Sequence, residues 1–309
     1  MSDSKTAVSP TPANNAPETA VPMQGYLAAT LVILSAATTP IAIRNAQQAG
    51  VPSLYMVSVR LITISLVLYP LVRRRHWPAL QALDKRDWGL ALLSGFFLAA
   101  NLILLFASLE YTSVLVNGVT RRTTPLWIIW LEIFFLGAAF SWRIWVGLFL
   151  ALGGAILVAF GSAGAVTPGA NPLLGAFLGL LGSVCIGLYM LIGRKLSSQL
   201  PSLAYSWIVF AVAAIFATAF AFIRQVPFSG YSPIGYFWVV VVIIIAQFVG
   251  HLAINAGLRH FPATTMSIFM QLSVALAAIL AAFTLGEIPS LWQLLGSLLI
   301  VAGVFFVTR

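Results

Sequence analysis

Apolar residues run along this chain in long blocks separated by short polar junctions. Ten such blocks are apparent, at Tyr26–Ile43, Leu54–Leu71, Trp88–Ser108, Ser113–Phe135, Ile144–Phe160, Leu173–Ile192, Leu203–Ile223, Tyr236–Asn255, Ala263–Leu285 and Leu291–Thr308. Each holds about 17–23 residues, enough for a helix to cross roughly 30 Å of hydrocarbon. The junctions are short except Val72–Asp87 and the glycine- and proline-containing Gly161–Pro172, so nothing remains for a soluble domain. Residues 1–24 lack such blocks and are rich in Ser, Thr, Pro, Ala and Asn, which predicts a disordered cytoplasmic tail. No basic leader in that tail runs into a short apolar core, so a signal peptide is not expected.

Composition gives the same class. Hydrophobic residues make up 61% and charged residues 7%, more apolar surface than a soluble domain of this length can bury. The fold class expected is an all-α membrane protein. A formal charge of +9 would suggest nucleic acid in a soluble chain, but here it falls in short loops and sets orientation. With the N-terminus inside, eleven Lys and Arg residues collect on the inner side and only Arg44 and Arg224 on the outer. Both termini are therefore expected in the cytoplasm of a bacterial cell, with the protein in its inner membrane. A single cysteine, Cys185, excludes an internal disulfide framework.

The chain also repeats itself. A shift of 149 residues lays Ala107–Val158 on Ala256–Val307 without a gap, pairing Gly147 with Gly296 and Gly154 with Gly303. The same shift puts Pro52-Ser53-Leu54 on Pro201-Ser202-Leu203. Five spans per half is an odd number, so the second half must enter the membrane upside down. The charges agree: Arg73, Arg74, Arg75, Lys85 and Arg86 follow span two, while only Arg224 follows span seven. Ten helices in two inverted five-helix repeats, 25–160 and 173–309, is the architecture expected of an alternating-access carrier.

Polar groups inside the spans carry the candidate chemistry. Arg121 and Arg122 sit roughly 12 Å into span four, too deep for both to reach the interface easily. Glu132 follows roughly 16 Å further along the same helix and cannot neutralise Arg121. Charge in hydrocarbon is costly, and arginine's planar fork suits carboxylate or phosphate, so the pair either contacts an anionic substrate or braces the fold. Asn117, Arg121 and Glu132 share one helical face, with Thr124 beside it. Pro125 removes a backbone hydrogen bond and frees a carbonyl there. Glu132 is the candidate for proton coupling or for a salt bridge to Arg143 or Arg194.

Span eight carries Gln247, His251 and Asn255 as a polar stripe, and Asn101 is the best polar candidate in span three. Gln271 and Ser273 occupy the repeat positions of Arg122 and Thr124, which aims an anionic group at span four. The substrate site expected thus comprises Arg121, Arg122, Asn117, Thr124, Asn101, His251 and Gln271. Arg60 is either a cavity residue or a tie between helices, and reads better as the tie. Gly175, Gly179, Ser183 and Gly187 form a small-residue ridge for close packing. Metal-ligand spacings, phosphate-cradling loops and nucleophile–base pairs are not found, so no metal, no cofactor and no catalysis are expected.

Residue by residue, the chain resembles the EamA-type ten-helix members of the drug/metabolite transporter superfamily. The markers are Pro125, Leu136-Gly137, Ser141-Trp142 and Gly147 in the first half. Leu285-Gly286-Glu287, Trp292, Gly296 and Ala302-Gly303 follow in the second. Glu287 has Ala138 at its repeat position, a departure from the family pattern. The resemblance implies a secondary carrier whose spans one to four and six to nine surround a cavity, moving amino-acid-like metabolites outward. The arginine pair is more similar to nucleotide-sugar carriers of that superfamily, which makes a carrier or flippase for a phosphorylated, nucleotide- or lipid-linked sugar the alternative. A reading of another class is a non-transporting membrane scaffold or receptor. The partners expected are a small anionic or zwitterionic molecule and membrane lipid, with no nucleic acid; a homodimer is left open.

Overall fold

The structure, a computed structural model, describes residues 22–111, 120–161, 171–273, 275–276, 280 and 291–308. Asn117 and Glu287 lie outside the described residues. Helices α1 (Met23–Gln48), α2 (Ser53–Arg75) and α4 (Lys85–Tyr111) account for the first three apolar blocks. A short helix, α3 (Trp77–Gln81), fills the longer junction between α2 and α4. Arg73 lies over the Trp77 ring at 4.5 Å, where the cation also complements the carboxyl end of α2.

Helices α5 (Thr124–Leu136) and α6 (Trp142–Gly161) complete the first half. The second half holds α7 (Pro172–Leu196), α8 (Ser202–Ile223), α9 (Pro233–Gly257), α10 (Ala263–Phe269) and α11 (Leu291–Thr308). Among the described residues six helices are long and apolar enough to cross a membrane, and α6 and α11 contribute shorter apolar stretches. The 149-residue shift carries the starts of α1, α2 and α6 onto those of α7, α8 and α11. The same residues stop and start the helices in both halves: Pro52 and Pro201 are extended and cannot continue a preceding helix, so α2 and α8 begin at the serines that follow.

Large apolar side chains such as Leu66, Phe134, Phe149, Leu173 and Ile215 are exposed, while Ser58, Arg60, Asn101, Glu132, Gln247 and Asn255 are buried. An apolar exterior with the polar groups kept inside, among an otherwise apolar core, suits lipid as the solvent. Inside lipid the hydrophobic effect does not drive helices together, so close packing and internal hydrogen bonds hold them. The small-residue ridge on α7 does this. A Cβ on Gly179 would meet Thr120 Oγ1 at 2.3 Å, and Ser108 Oγ donates to the Gly175 carbonyl at 2.7 Å.

Helices α6 and α11 cross at their glycines. A Cβ on Gly147 would lie 2.5 Å from the Gly303 carbonyl oxygen, and one on Gly154 would lie 2.4 Å from that of Gly296. The early glycine of each helix therefore meets the late glycine of the other, which makes the crossing antiparallel. Elsewhere α4 packs along α7, α1 along α9, α2 along α8, and α5 against α7 and α10. Buried polar groups at the centre are mostly satisfied, as hydrocarbon demands. Tyr189 donates to Asn255 Oδ1, Asn255 donates to Ser206 Oγ at 2.8 Å, and Ser94 and Tyr205 share a hydrogen bond of 2.6 Å.

Candidate functional site

The fourth apolar block does not run straight: its helix is interrupted at Thr123, and α5 starts afresh at Thr124. Pro125 is the cause. It has no amide for the Arg121 carbonyl, and its ring opposes a continuous helix. The Leu126 amide turns to the Thr123 carbonyl at 2.9 Å, which leaves the Arg122 carbonyl without its helical partner too.

Side chains take over these backbone acceptors. Thr124 Oγ1 donates to the Arg121 carbonyl at 2.7 Å, and Gln271 Nε2 donates to the Arg122 carbonyl at 3.2 Å. The Thr120 carbonyl receives the Thr123 hydroxyl and Ser183 Oγ. Thr124 and Gln271, both read from the sequence as substrate contacts, thus brace the break. Ser273, at the repeat position of Thr124, donates in the same way to the Met270 carbonyl at 2.6 Å. Gln271 is itself the repeat counterpart of Arg122, so the two halves touch at matching positions.

A second irregularity lies in α9. Residues Ile243–His251 wind as a π-helix, a wider turn that leaves carbonyls open to side chains. Ser35 Oγ of α1 donates to the Ile245 carbonyl at 2.8 Å, and His251 Nδ1 lies 2.9 Å from the Ala246 carbonyl. A carbonyl can only accept, so Nδ1 carries the proton and Nε2 is bare when the ring is neutral. The His251 ring meets Phe210 edge-on, with centroids 6.3 Å apart. Gly250 permits the approach of α1, since a Cβ there would stand 2.3 Å from Ser35 Oγ.

These two irregular segments bring cations together. Arg121 lies close enough to Arg60 of α2 and to Arg122 for their charges to interact, and the His251 ring lies within reach of Arg60 and Arg121. Arg60 is buried, Arg121 and Arg122 are half-buried, and none of the three guanidinium groups meets a carboxylate or a hydrogen-bond acceptor among the described residues. Among the described residues Arg60 Nε and Arg122 Nε are buried without a partner, as are Asn101 Oδ1 and both amide atoms of Gln247. From the sequence Arg60 is either a cavity residue or a helix tie, with the tie preferred. Its signal was present as the third arginine within a span, but the fold was needed to bring it beside Arg121.

Glu132 stands apart from this cluster. Thr264 Oγ1 donates to its carboxylate at 2.6 Å, and the Ala263 and Thr264 amides at the start of α10 point at it. It also feels Arg194 of α7, which in turn donates to the Leu258 carbonyl at 2.7 Å. Arg194, Lys195 and Arg259 line a separate cleft of about 340 Å³ with Ser197 and Ser198. Trp130 is exposed on the outer face, and Trp127 Nε1 donates to Thr123 Oγ1 at 3.1 Å.

Long helices with apolar exteriors, interrupted where they meet inside the bundle, place the protein among polytopic membrane transporters. The chain belongs to the EamA-like transporter family, whose model matches residues 23–160 and 173–309 and so confirms two repeats within the drug/metabolite transporter superfamily. It is 26% identical over 260 residues to the uncharacterized transporter YetK of Bacillus subtilis (strain 168), covering 82% of this chain and 78% of that one. The uncharacterized transporter YyaM of the same organism is 25% identical over 212 residues, 65% of this chain and 66% of that one. A protein of known crystal structure shares the fold with a TM-score of 0.76 at 18% identity, over 92% of this chain and 96% of its own.

Proposed function

We propose that this transporter is a secondary carrier that moves a small organic metabolite through its carboxylate or phosphate group by alternating access. The observation that carries this reading is the set of inward guanidinium groups that no protein carboxylate neutralises among the described residues. Such a charge in a membrane interior is stable when an anion from outside the fold completes it. The broken helix beside Arg121 and Arg122 supports the reading, because carriers of this build bind cargo where helices are interrupted.

Ten helices in inverted halves is part of the proposal. Two-fold related halves require each contact to occur in reciprocal form. The glycine crossing of α6 with α11 has that form, as do the pairings of α4 with α7 and of α9 with α1. The lysine and arginine distribution favours both termini in the cytoplasm, with the protein in the bacterial inner membrane.

Counterflow in proteoliposomes tests the reading. An Arg121→Gln plus Arg122→Gln variant that folds as the parent does is expected to lose at least tenfold in uptake of any substrate the parent carries. Unchanged uptake would remove the arginine pair from transport. A parent that carries no solute in a broad metabolite screen would instead favour a scaffold.

A further inference from the structure

We infer that the site takes a doubly charged anion, a phosphate ester or a dicarboxylate without an ammonium group, and that Arg60 is its third cationic contact. The inference rests on the carrier reading above and narrows its substrate. Three observations converge on it.

The first is the charge count. Arg60, Arg121 and Arg122 form one cluster, drawn from α2 and from the break before α5. A monocarboxylate would leave two of these charges uncompensated in a water-poor interior, whereas a dianion leaves one.

The second is the state of the nitrogens. Arg60 is only 5% exposed, yet its Nε has no acceptor, and the Nε of Arg122 is in the same state. A buried tie between helices would be bonded to the carbonyl or carboxylate it ties. An arginine fork accepts a carboxylate or phosphate through two parallel bonds, so two arginines with open nitrogens match an anion with several acceptor oxygens.

The third is what the cluster lacks. Beside three guanidinium groups an ammonium group needs a carboxylate to offset the like charges. Among the acids whose side chains are described, Glu132 is the buried one, and it is held by Thr264 and the start of α10. Asp84, exposed just before α4, and Asp87, half-buried in its first turn, are linked to each other as the Asp87 amide donates to Asp84 Oδ1. The carbonyls freed at the break are already occupied by Thr124 and Gln271. A zwitterion would therefore place its positive end beside three arginines with no carboxylate of the described residues to offset the like charges, only the neutral amide oxygens of Asn101 and Gln247.

Isothermal titration of the purified protein in nanodiscs tests this with four probes at neutral pH: succinate, inorganic phosphate, acetate and alanine. Succinate and phosphate are expected to bind at least tenfold more tightly than acetate or alanine. Arg60→Gln is expected to erase that margin while leaving acetate binding within about threefold, and Arg60→Lys to keep part of it. Alanine or acetate binding as tightly as the dianions would overturn the substrate class, even if Arg121→Gln plus Arg122→Gln abolished both. A uniform loss for all probes in Arg60→Gln, repeated in Arg60→Lys, would return Arg60 to the role of a tie. Binding of no probe, or binding indifferent to the arginine pair, would sink the carrier reading together with this one.

Discussion

Adjacent glycines in α6 offer a controlled test of how the two halves are held. Gly154 is buried against α11, where a Cβ would stand 2.4 Å from the Gly296 carbonyl oxygen and 2.9 Å from both Ile300 Cγ1 and its amide nitrogen. Gly153, one residue earlier, has nothing within 4 Å of the same atom. Either Gly→Ala change gains up to about 1 kcal/mol of intrinsic helix stability. That gain cancels when the two variants are compared with each other. What remains is the overpacking at Gly154, where two of the three obstructing atoms are backbone and cannot rotate away. Forcing a methyl group into a packed contact costs about 1–3 kcal/mol. Gly154→Ala should therefore be less stable than Gly153→Ala by about that amount, a factor of five or more in the unfolding equilibrium. Reversible unfolding in mixed micelles, followed by tryptophan fluorescence, measures the difference. If the two variants agree within about 0.5 kcal/mol, α6 and α11 do not touch at their glycines and the crossing is misplaced.

Three further outcomes follow from the same geometry. Asn255→Ala removes the acceptor of Tyr189 and the donor to Ser206, and should lower stability by about 1–3 kcal/mol in the same unfolding assay. Glu132→Gln keeps an oxygen for Thr264 and should lose less stability than Glu132→Ala, for which about 1.5–3 kcal/mol is expected; equal losses would remove the carboxylate from the start of α10. Gly250→Ala should displace Ser35 from the Ile245 carbonyl and expose that part of α1, read as faster labelling of a Ser35→Cys reporter in Gly250→Ala than in the Gly250 parent.

Much of this architecture was legible because lipid imposes a simple rule on sequence. Any segment without water must satisfy its backbone within itself, so long apolar blocks became α1, α2, α4, α7, α8 and α9 nearly as read. Glycines every fourth residue in α7 announced close packing, since nothing else in a lipid-facing helix favours losing the side chain. What stayed hidden depends on partners far along the chain. Pro125 showed that a carbonyl would be freed, but not that Thr124 would capture it or that Gln271 would reach the next one. The π-helical turns of α9 leave no mark in apolar periodicity. For Glu132 the sequence offers proton coupling or a salt bridge to Arg143 or Arg194; it does feel Arg194, but its nearer partners, a hydroxyl and the first amides of a helix in the other half, have no sequence signal. Arg60 was set aside because a lone arginine in a span has no visible neighbour until the helices are packed.

The hydrogen bond between Gln271 and the Arg122 carbonyl joins residues that a duplication would have created as copies of each other. Two identical halves would have set arginine against arginine at that spot, doubling a like-charge repulsion that no carboxylate among the described residues offsets. Fusion into one polypeptide lets the copies diverge: one side can keep its guanidinium groups while the other exchanges them for Met270 and Gln271, neutral residues able to lean against the first. On this view the paired arginines are a property that two identical halves could not hold, and an engineered return to equal halves would meet arginine with arginine at this contact.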